Sequence, residues 1–174
     1  TFEAPGGVRL LKSVLVYGAN ASGKSNLVKA VRFARELVLG SAKETQAGEA
    51  IAVKPFLLHP TAGDRGSSFE LVWIAGDVRY RYQFTVDRTR VLAEVLSRAC
   101  SGDETEAELF RRDAAGIHVG EGFAEGRDVA SKTRENALFL SVVAQLNGAE
   151  SQRILDWFRN GMALVSGVAA RGHL

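Results

Sequence analysis

A glycine-rich segment near the start of the chain constrains its fold and chemistry more than any other feature. Residues 18–25 read Gly-Ala-Asn-Ala-Ser-Gly-Lys-Ser, which fits the pattern G-x-x-x-x-G-K-[ST]. In this pattern, backbone N–H groups converge on phosphate oxygens, and the N-terminal end of a helix adds positive charge. The segment is therefore predicted to bind the phosphates of a nucleotide.

Individual residues of this segment have distinct expected roles. Gly18 and Gly23 lack a Cβ, so the backbone can approach the phosphates closely. The ammonium group of Lys24 is expected beside the β- and γ-phosphates, and the hydroxyl of Ser25 is expected to bind Mg²⁺. The predicted nucleotide-binding residues are Gly18, Ala19, Asn20, Ala21, Ser22, Gly23, Lys24, Ser25 and Asn26.

The flanking residues predict a strand before the loop and a helix after it. Residues 14–17 are four consecutive apolar residues, as in a buried parallel strand. After Ser25, apolar residues recur at helical spacing as far as Val38, and Gly40 is a natural end for the helix. The phosphate loop and its helix are thus predicted to occupy residues 14–40.

A strongly β-forming region follows this helix. Between Val78 and Val86, apolar or aromatic residues alternate with polar ones, which is the period of a strand with one buried face. Similar short runs lie before and after it, separated by turn residues. Five strands in an antiparallel meander are predicted over residues 68–119, rather than a continued βαβ series. Two helices are predicted within residues 134–160, over 134–146 and 149–160.

Composition narrows the possible functions. A chain of 174 residues with 46% hydrophobic and 24% charged residues predicts one soluble globular domain. The net charge of +2 gives no strong electrostatic case for nucleic acid, and the clustered arginines are interpreted as a solvated sheet face. These arginines are Arg79, Arg81, Arg88, Arg90, Arg111 and Arg112.

The cysteine and histidine residues predict neither a disulfide within the chain nor a metal site. Cys100 is the single cysteine, so no disulfide can form within the chain, and the three histidines show no metal-ligand spacing. No apolar run approaches the roughly 20 residues of a membrane span, and no signal peptide is visible. A cytoplasmic location without a membrane partner is expected. Because the chain begins at Thr1, we expect it to be a segment of a longer protein.

Several motifs that would complete a nucleotide hydrolase are missing from the sequence. No run of four apolar residues ends in Asp-Glu, and no Leu-Ser-Gly-Gly signature occurs. A GTPase is disfavoured because Asn-Lys-x-Asp is absent and Asp113-Ala114-Ala115-Gly116 lies in a predicted hairpin turn. A small nucleoside or shikimate-type kinase would alternate strands and helices after the loop, whereas this chain continues into a meander.

The order of motifs resembles the N-terminal half of an ABC-type ATPase head, as in SMC and RecF relatives. The sequence is more similar still to bacterial AAA-family ATP-binding proteins allied to the OLD and abortive-infection ATPases. The residues that carry this resemblance are 17–27, Pro55-Phe56, Phe69-Glu70-Leu71, Tyr80-Arg81-Tyr82, Glu94-Val95-Leu96, 136–141 and Asp156-Trp157-Phe158. The resemblance implies an α/β P-loop NTPase fold, with residues 1–174 forming the N-terminal part of one ABC-like ATPase domain.

The same resemblance implies ATP and Mg²⁺ as cofactors and a nucleotide-gated homodimer or higher oligomer. It also implies a role in phage defence or nucleic-acid transactions, with nucleic acid or an effector protein as a partner. ABC-type heads use a glutamine between the meander and the following helices. Gln145 is the nearest candidate and Gln83 another, although a plain helix or surface glutamine is the preferred interpretation of each. The alternative function is a nucleotide-dependent binding or scaffold module without turnover of its own.

Overall fold

The computed structural model of the protein describes residues 1–4, 7–11, 13–44, 46–54, 66–100, 103 and 105–162. The strands are β1 (Phe2–Ala4), β2 (Val8–Leu10), β3 (Ser67–Ala75), β4 (Val78–Val86), β5 (Val91–Cys100), β6 (Ala107–Asp113) and β7 (Gly116–Val119). The helices are α1 (Lys24–Gly40), α2 (Phe139–Gln145) and α3 (Ala149–Asp156). Two short 3₁₀ helices, Glu121–Gly126 and Ala130–Lys132, precede α2, and a π-helical turn, Trp157–Gly161, follows α3.

The predicted meander is confirmed as a five-stranded antiparallel sheet in the order β3-β4-β5-β6-β7. Each strand pairs with the next one along the chain, so that Tyr82 lies opposite both Leu71 and Leu96. Because side chains alternate between the two faces of a strand, β4 directs its aromatic residues to one face. The side chains of Tyr80, Tyr82 and Phe84 are buried there, and this inner face is covered by the helices.

Aromatic contacts join the helices to the inner face of the sheet. The ring of Phe139 in α2 meets that of Phe110 in β6 edge-to-face, with centroids 4.8 Å apart. Trp157 stacks on Trp73 of β3, also at 4.8 Å, and thereby fixes the π-helical turn on the sheet. Aromatic pairs of this kind add about 0.5–1.5 kcal/mol to the free energy of their burial. The sheet, α2 and α3 therefore share one hydrophobic core.

A buried glutamate fixes the start of α2 on the sheet. The carboxylate of Glu94 in β5 accepts hydrogen bonds from the Tyr82 hydroxyl at 2.7 Å and from the backbone N–H groups of Phe139 and Leu140 at 2.7 and 3.1 Å. These N–H groups begin α2, where a helix provides no acceptor of its own. Burial raises the pKa of Glu94, although its three donors and the nearby Arg112 guanidinium oppose this shift.

The helix that was predicted from residue 134 begins at Phe139, so the prediction is wrong over residues 134–138. Within this segment the N–H of Ala137 donates to the carbonyl oxygen of Arg134 at 3.3 Å, and several other polar groups of the segment bind distant parts of the chain. The guanidinium of Arg112 donates to the carbonyl oxygens of Arg134, Glu135 and Ala137. Leu138, the last residue before α2, is extended, with ψ of 133°. Tertiary hydrogen bonds thus outweigh the local helix preference.

Helix α1 ends at Gly40 as predicted, and it is anchored through its second half. Val38 is fully buried, and the hydroxyl of Ser141 donates to its carbonyl oxygen at 2.6 Å. The guanidinium of Arg35 donates to the carbonyl oxygens of Phe158 and Arg159 at 2.7 and 3.1 Å, which links α1 to the π-helical turn. None of the helices in the described ranges is long and apolar enough to cross a membrane.

The first half of α1 and the residues before it lie outside the packed core. Leu27 and Val28 are 58% and 45% exposed. The strand predicted over residues 14–17 is absent, and its four side chains are 59–84% exposed, so this prediction is wrong. A strand needs neighbouring strands to pair with its backbone groups, and no strand among the described residues pairs with this segment. The described fold is therefore α/β with antiparallel sheets.

Candidate functional site

The motif residues form an exposed loop that leads directly into α1. Residues 18–23 are all exposed, and the helix begins at Lys24. Ala21 and Gly23 have φ angles of 65° and 91°, in the left-handed region. Glycine adopts this conformation at no steric cost, whereas alanine rarely does. Left-handed residues in such a turn direct successive backbone N–H groups toward one side, as in anion-binding nests.

Three backbone N–H groups at the start of α1 are available to an anion. Across the described ranges, the N–H groups of Gly23, Lys24 and Ser25 donate to no acceptor, while those of Asn26 and Leu27 both donate to the Gly23 carbonyl oxygen. The first N–H groups of an α-helix lack partners within the helix, and the helix dipole places positive charge at this end. These donors fit the phosphate groups of a nucleotide.

The side chain of Lys24 folds back over the loop. Its Nζ lies 2.6 Å from the carbonyl oxygens of both Gly18 and Ala19, and 3.2 Å from the Oγ of Ser22. An ammonium group has three donor hydrogens, so each of them has an acceptor here. The sequence motif predicted phosphate contacts for Lys24, and no sequence signal predicted these partners within the loop.

Ser25 is the candidate ligand for Mg²⁺. It is the second residue of α1, and its side chain is exposed beside the available N–H groups. Mg²⁺ usually keeps several waters and binds one or two protein ligands together with phosphate oxygens. In the part of the chain that the structure describes, no group of three or more His, Cys, Asp or Glu side chains could hold a metal ion. A single hydroxyl supplemented by phosphate oxygens fits the chemistry of Mg²⁺ at this position.

The two candidate glutamines lie on elements other than the loop. Gln145 lines a cleft of about 380 Å³ together with Leu39 and Ala42, at the C-terminal end of α1. Because α1 has 17 residues, this end lies about 25 Å along the helix axis from the loop. Gln83 is exposed on the outer face of β4. The structure therefore does not bring Gln145 to the loop.

Several of the clustered arginines are paired with carboxylates on the outer face of the sheet. These ion pairs are Arg79–Glu106, Arg81–Glu70, Arg81–Glu106 and Arg111–Glu108. Arg112 is instead buried on the inner face, where it contacts the segment before α2. Since the paired guanidinium groups are already neutralised, this face offers little free positive charge to a polyanion.

The chain matches a known family profile over most of its length. The profile, described as "AAA domain, putative AbiEii toxin, Type IV TA system", matches residues 13–170, which include the loop, the five-stranded sheet and the helices that follow. No curated protein and no solved structure matches the chain. The chain therefore belongs to this family of AAA domains, which is related to abortive-infection systems.

Proposed function

We propose that the chain binds ATP and Mg²⁺ through residues 18–26, as the nucleotide-binding part of an ABC-like ATPase. Membership of an AAA family indicates a nucleotide-binding, ATPase-like function. The observation that carries the proposal is the set of three available N–H groups, from Gly23, Lys24 and Ser25, at the N-terminal end of a 17-residue helix. This arrangement suits a chain of phosphate anions, because donors and helix dipole act in the same place.

Each group of the loop would bind a different part of the nucleotide and its metal ion. The backbone N–H groups would hold phosphate oxygens, and the ammonium group of Lys24 would neutralise their charge. The hydroxyl of Ser25 would hold Mg²⁺, which would supply positive charge to offset the negative charge of the phosphates. All of these groups come from one continuous segment, so binding needs no distant residue of the chain.

We also propose that the ATPase works in the cytoplasm as a nucleotide-gated dimer, in phage defence or nucleic-acid transactions. Two observations support this proposal: the order of loop, helix and meander resembles that of ABC-type heads, and the family is related to abortive-infection systems. A nucleic acid or an effector protein would then be the partner. The neutralised outer face of the sheet is an unfavourable place for a nucleic acid to bind.

A second candidate function is a nucleotide-dependent binding or scaffold module that does not turn ATP over. It is favoured by the absence of an Asp-Glu pair after an apolar strand in the 174 residues. In the described ranges, moreover, the hydrogen bonds made by side chains of the loop go only to loop acceptors, and none goes to a carboxylate. Such a module would use ATP as a conformational signal, whereas an ATPase would also need groups that position water.

Replacing Lys24 with alanine is expected to weaken ATP binding at least about tenfold, because a charge-assisted hydrogen bond contributes about 1.5–3 kcal/mol. The fold should persist, since Lys24 lies at the exposed loop and fills no part of the core. Titration with a fluorescent ATP analogue measures the affinity, and circular dichroism reports the fold. Lys29→Ala is the matched control, because Lys29 is an exposed lysine on the same helix. An unchanged affinity in folded Lys24→Ala would refute the proposed site.

ATP is expected to displace a bound fluorescent ATP analogue at lower concentrations than GTP does. The reason is that the guanine-specifying Asn-Lys-x-Asp is absent from the sequence and that the ABC-type and AAA-family proteins it resembles use ATP. Competition titrations with the two triphosphates, each with Mg²⁺, give the comparison directly. Because both ligands carry the same phosphate chain, any difference reports the base alone. Equal or tighter binding of GTP would contradict the assignment of ATP as the ligand.

A further inference from the structure

A cleft lies at the C-terminal end of α1, away from the loop. It has a volume of about 380 Å³, and it is lined by side chains from the end of α1, from α2, and from α3 with the π-helical turn. This volume is within the range of pockets that bind small molecules. We propose that the cleft binds a small organic carboxylate with an apolar body. The proposal goes beyond ATP binding, because this site shares no residue with the loop.

The floor of the cleft is apolar and belongs to the packed core. Ala144 of α2 and Leu155 of α3 line it and are 5% and 4% exposed, and Leu39 of α1 packs against the same core. Ser141 also lines the cleft, but its hydroxyl already donates to the carbonyl oxygen of Val38. Because the core holds these side chains in place, none of them has to be ordered when a ligand binds. The floor therefore suits the hydrocarbon or aromatic part of a ligand.

The rim of the cleft carries an excess of one positive charge. Arg159 donates to the carboxylate of Asp156 at 2.6 Å, so these two charges offset each other. Lys43 lies in the turn after α1, where its backbone N–H donates to the carbonyl oxygen of Gly40 at 2.8 Å. In the part of the chain that the structure describes, no ion pair includes the ammonium group of Lys43. The charge of Lys43 is therefore available to an anionic ligand.

Amide side chains complete the rim. The Nε2 of Gln152 donates to the Oδ1 of Asn147 at 3.2 Å and to the carbonyl oxygen of Ala144 at 3.5 Å, so both of its hydrogens have acceptors. Gln145 is exposed at the rim, and within the described ranges its side chain makes no hydrogen bond. A carboxylate accepts hydrogen bonds at both of its oxygens, and Lys43 and Gln145 each offer donors that have no other partner.

The surroundings of the cleft favour a single negative charge over a phosphate. The last carbonyl groups of an α-helix carry partial negative charge, and α1 ends at this cleft. Asp156 adds a full negative charge to the rim, which Arg159 only offsets. A phosphate group would bring about two charges into these surroundings, where Lys43 supplies a single charge in return. The cleft therefore matches a monocarboxylate, whereas the loop matches a chain of phosphates.

Titration of the full chain with 4-phenylbutanoate and with its amide tests the proposal. The two probes have nearly the same shape, and only the first carries a charge. The carboxylate is expected to bind about fivefold more tightly, the ratio that one ion pair at an accessible site supplies. Lys43→Met should remove this preference, and Lys29→Met, which changes an exposed lysine in the first half of α1, should retain it. Equal affinities of the two probes for the unchanged protein would overturn the proposal, as would a preference that persists in Lys43→Met.

Backbone amide chemical shifts locate the bound probe. In ¹⁵N-labelled protein, 4-phenylbutanoate is expected to shift the signals of Leu39, Ala144 and Leu155, at the floor of the cleft, and to leave those of residues 18–25 unchanged. A probe of this size should bind with millimolar affinity, so the shifts should be complete at about 10 mM. Shifts confined to residues outside the cleft, or no shifts at this concentration, would refute the site.

Saturating ATP and Mg²⁺ separate this proposal from the proposed function. The shifts that 4-phenylbutanoate causes are expected to persist when ATP is bound, because the cleft and the loop lie at opposite ends of α1. Displacement of the probe by ATP would mean that both occupy one site, contrary to the proposal. ATP binding without probe binding would refute the cleft alone, and probe binding without ATP binding would refute only the proposed function.

Discussion

The purified 174-residue protein is expected to bind ATP and Mg²⁺ but to release phosphate at close to the uncatalysed rate. Binding needs only the N–H groups at the start of α1, Lys24 and Ser25, which one segment supplies. Hydrolysis also needs a positioned water and stabilisation of the charge on the transferring phosphoryl group. A single stabilising arginine contributes about 10³–10⁵ to the rate in related reactions. We therefore expect a deficit of at least about three orders of magnitude relative to a complete site.

A phosphate-release assay with saturating ATP and Mg²⁺ measures this deficit, and Lys24→Ala provides the background. Equal rates in the two proteins, combined with tight binding by the unchanged protein alone, are the expected outcome. Turnover that rises more than linearly with protein concentration would indicate that a second subunit completes the site. Brisk turnover that is independent of protein concentration and lost in Lys24→Ala would instead place a complete catalytic site within these residues, contrary to the prediction.

The five-stranded sheet could be predicted because its signals are local. The alternation that predicted a strand over residues 78–86 corresponds to the observed β4, Val78–Val86. The preceding turn contains Gly76, whose φ is 60°, a conformation that favours glycine. Once short turns join the strands, each strand can pair with its neighbour along the chain. Helix α1 ends at Gly40, the glycine at which the apolar periodicity stops, although Ser41 after it is still right-handed, with φ of −57°.

The segments that were predicted wrongly depend on partners far away in the sequence. Residues 134–138 look helical by periodicity, but hydrogen bonds from Arg112 hold the backbone of this segment along the sheet. Residues 14–17 look like a buried strand, but an apolar run forms a strand only where neighbouring strands exist for it to pair with. Neither the hydrogen bonds from Arg112 nor the availability of neighbouring strands can be read from a short stretch of sequence.

The loop could be located from its motif, whereas its internal contacts could not. The spacing of Gly18, Gly23 and Lys24 predicts a phosphate site but says nothing about which acceptors Lys24 binds within the loop. The glutamine candidates show a related problem, since Gln145 follows the meander in the chain but lies at the opposite end of α1 from the loop. Chain order therefore predicts which elements exist and leaves the distances between them undetermined.

Replacing Glu94 with leucine is expected to lower the free energy of unfolding by about 3–5 kcal/mol, the usual cost of removing one partner from a buried charged network. The substitution would leave the Tyr82 hydroxyl and the N–H groups of Phe139 and Leu140 without their acceptor. Urea denaturation followed by circular dichroism measures this loss. Glu108→Leu is the control, because Glu108 is exposed and its pair with Arg111 should contribute less than about 1 kcal/mol.

Glu94→Gln provides a milder test if the leucine variant does not fold, since the amide keeps one carbonyl oxygen as an acceptor. A loss of about 1–3 kcal/mol is expected. A loss from Glu94→Gln no larger than that from Glu108→Leu would show that the hydrogen bonds to Phe139 and Leu140 do not hold α2 on the sheet. Because α2 also anchors α1 through Ser141, the same variants should report whether a loosened α2 weakens ATP binding.

The pKa shift of Glu94 predicts the direction in which pH changes the stability of the unchanged protein relative to Glu94→Gln. Burial raises the pKa of Glu94 in the folded state, so folding favours its protonated form. Its contribution to stability is fully present below the unfolded pKa of about 4.3 and is lost as the pH rises through the raised folded-state pKa. Glu94→Gln cannot titrate at this position, so the stability advantage of the unchanged protein should be largest in acid and shrink as the pH increases. Unfolding free energies of both proteins, measured between about pH 4 and pH 8, would test this. If the stability advantage of the unchanged protein over Glu94→Gln grew with pH, the hydrogen-bond donors around Glu94, rather than its burial, would control its charge.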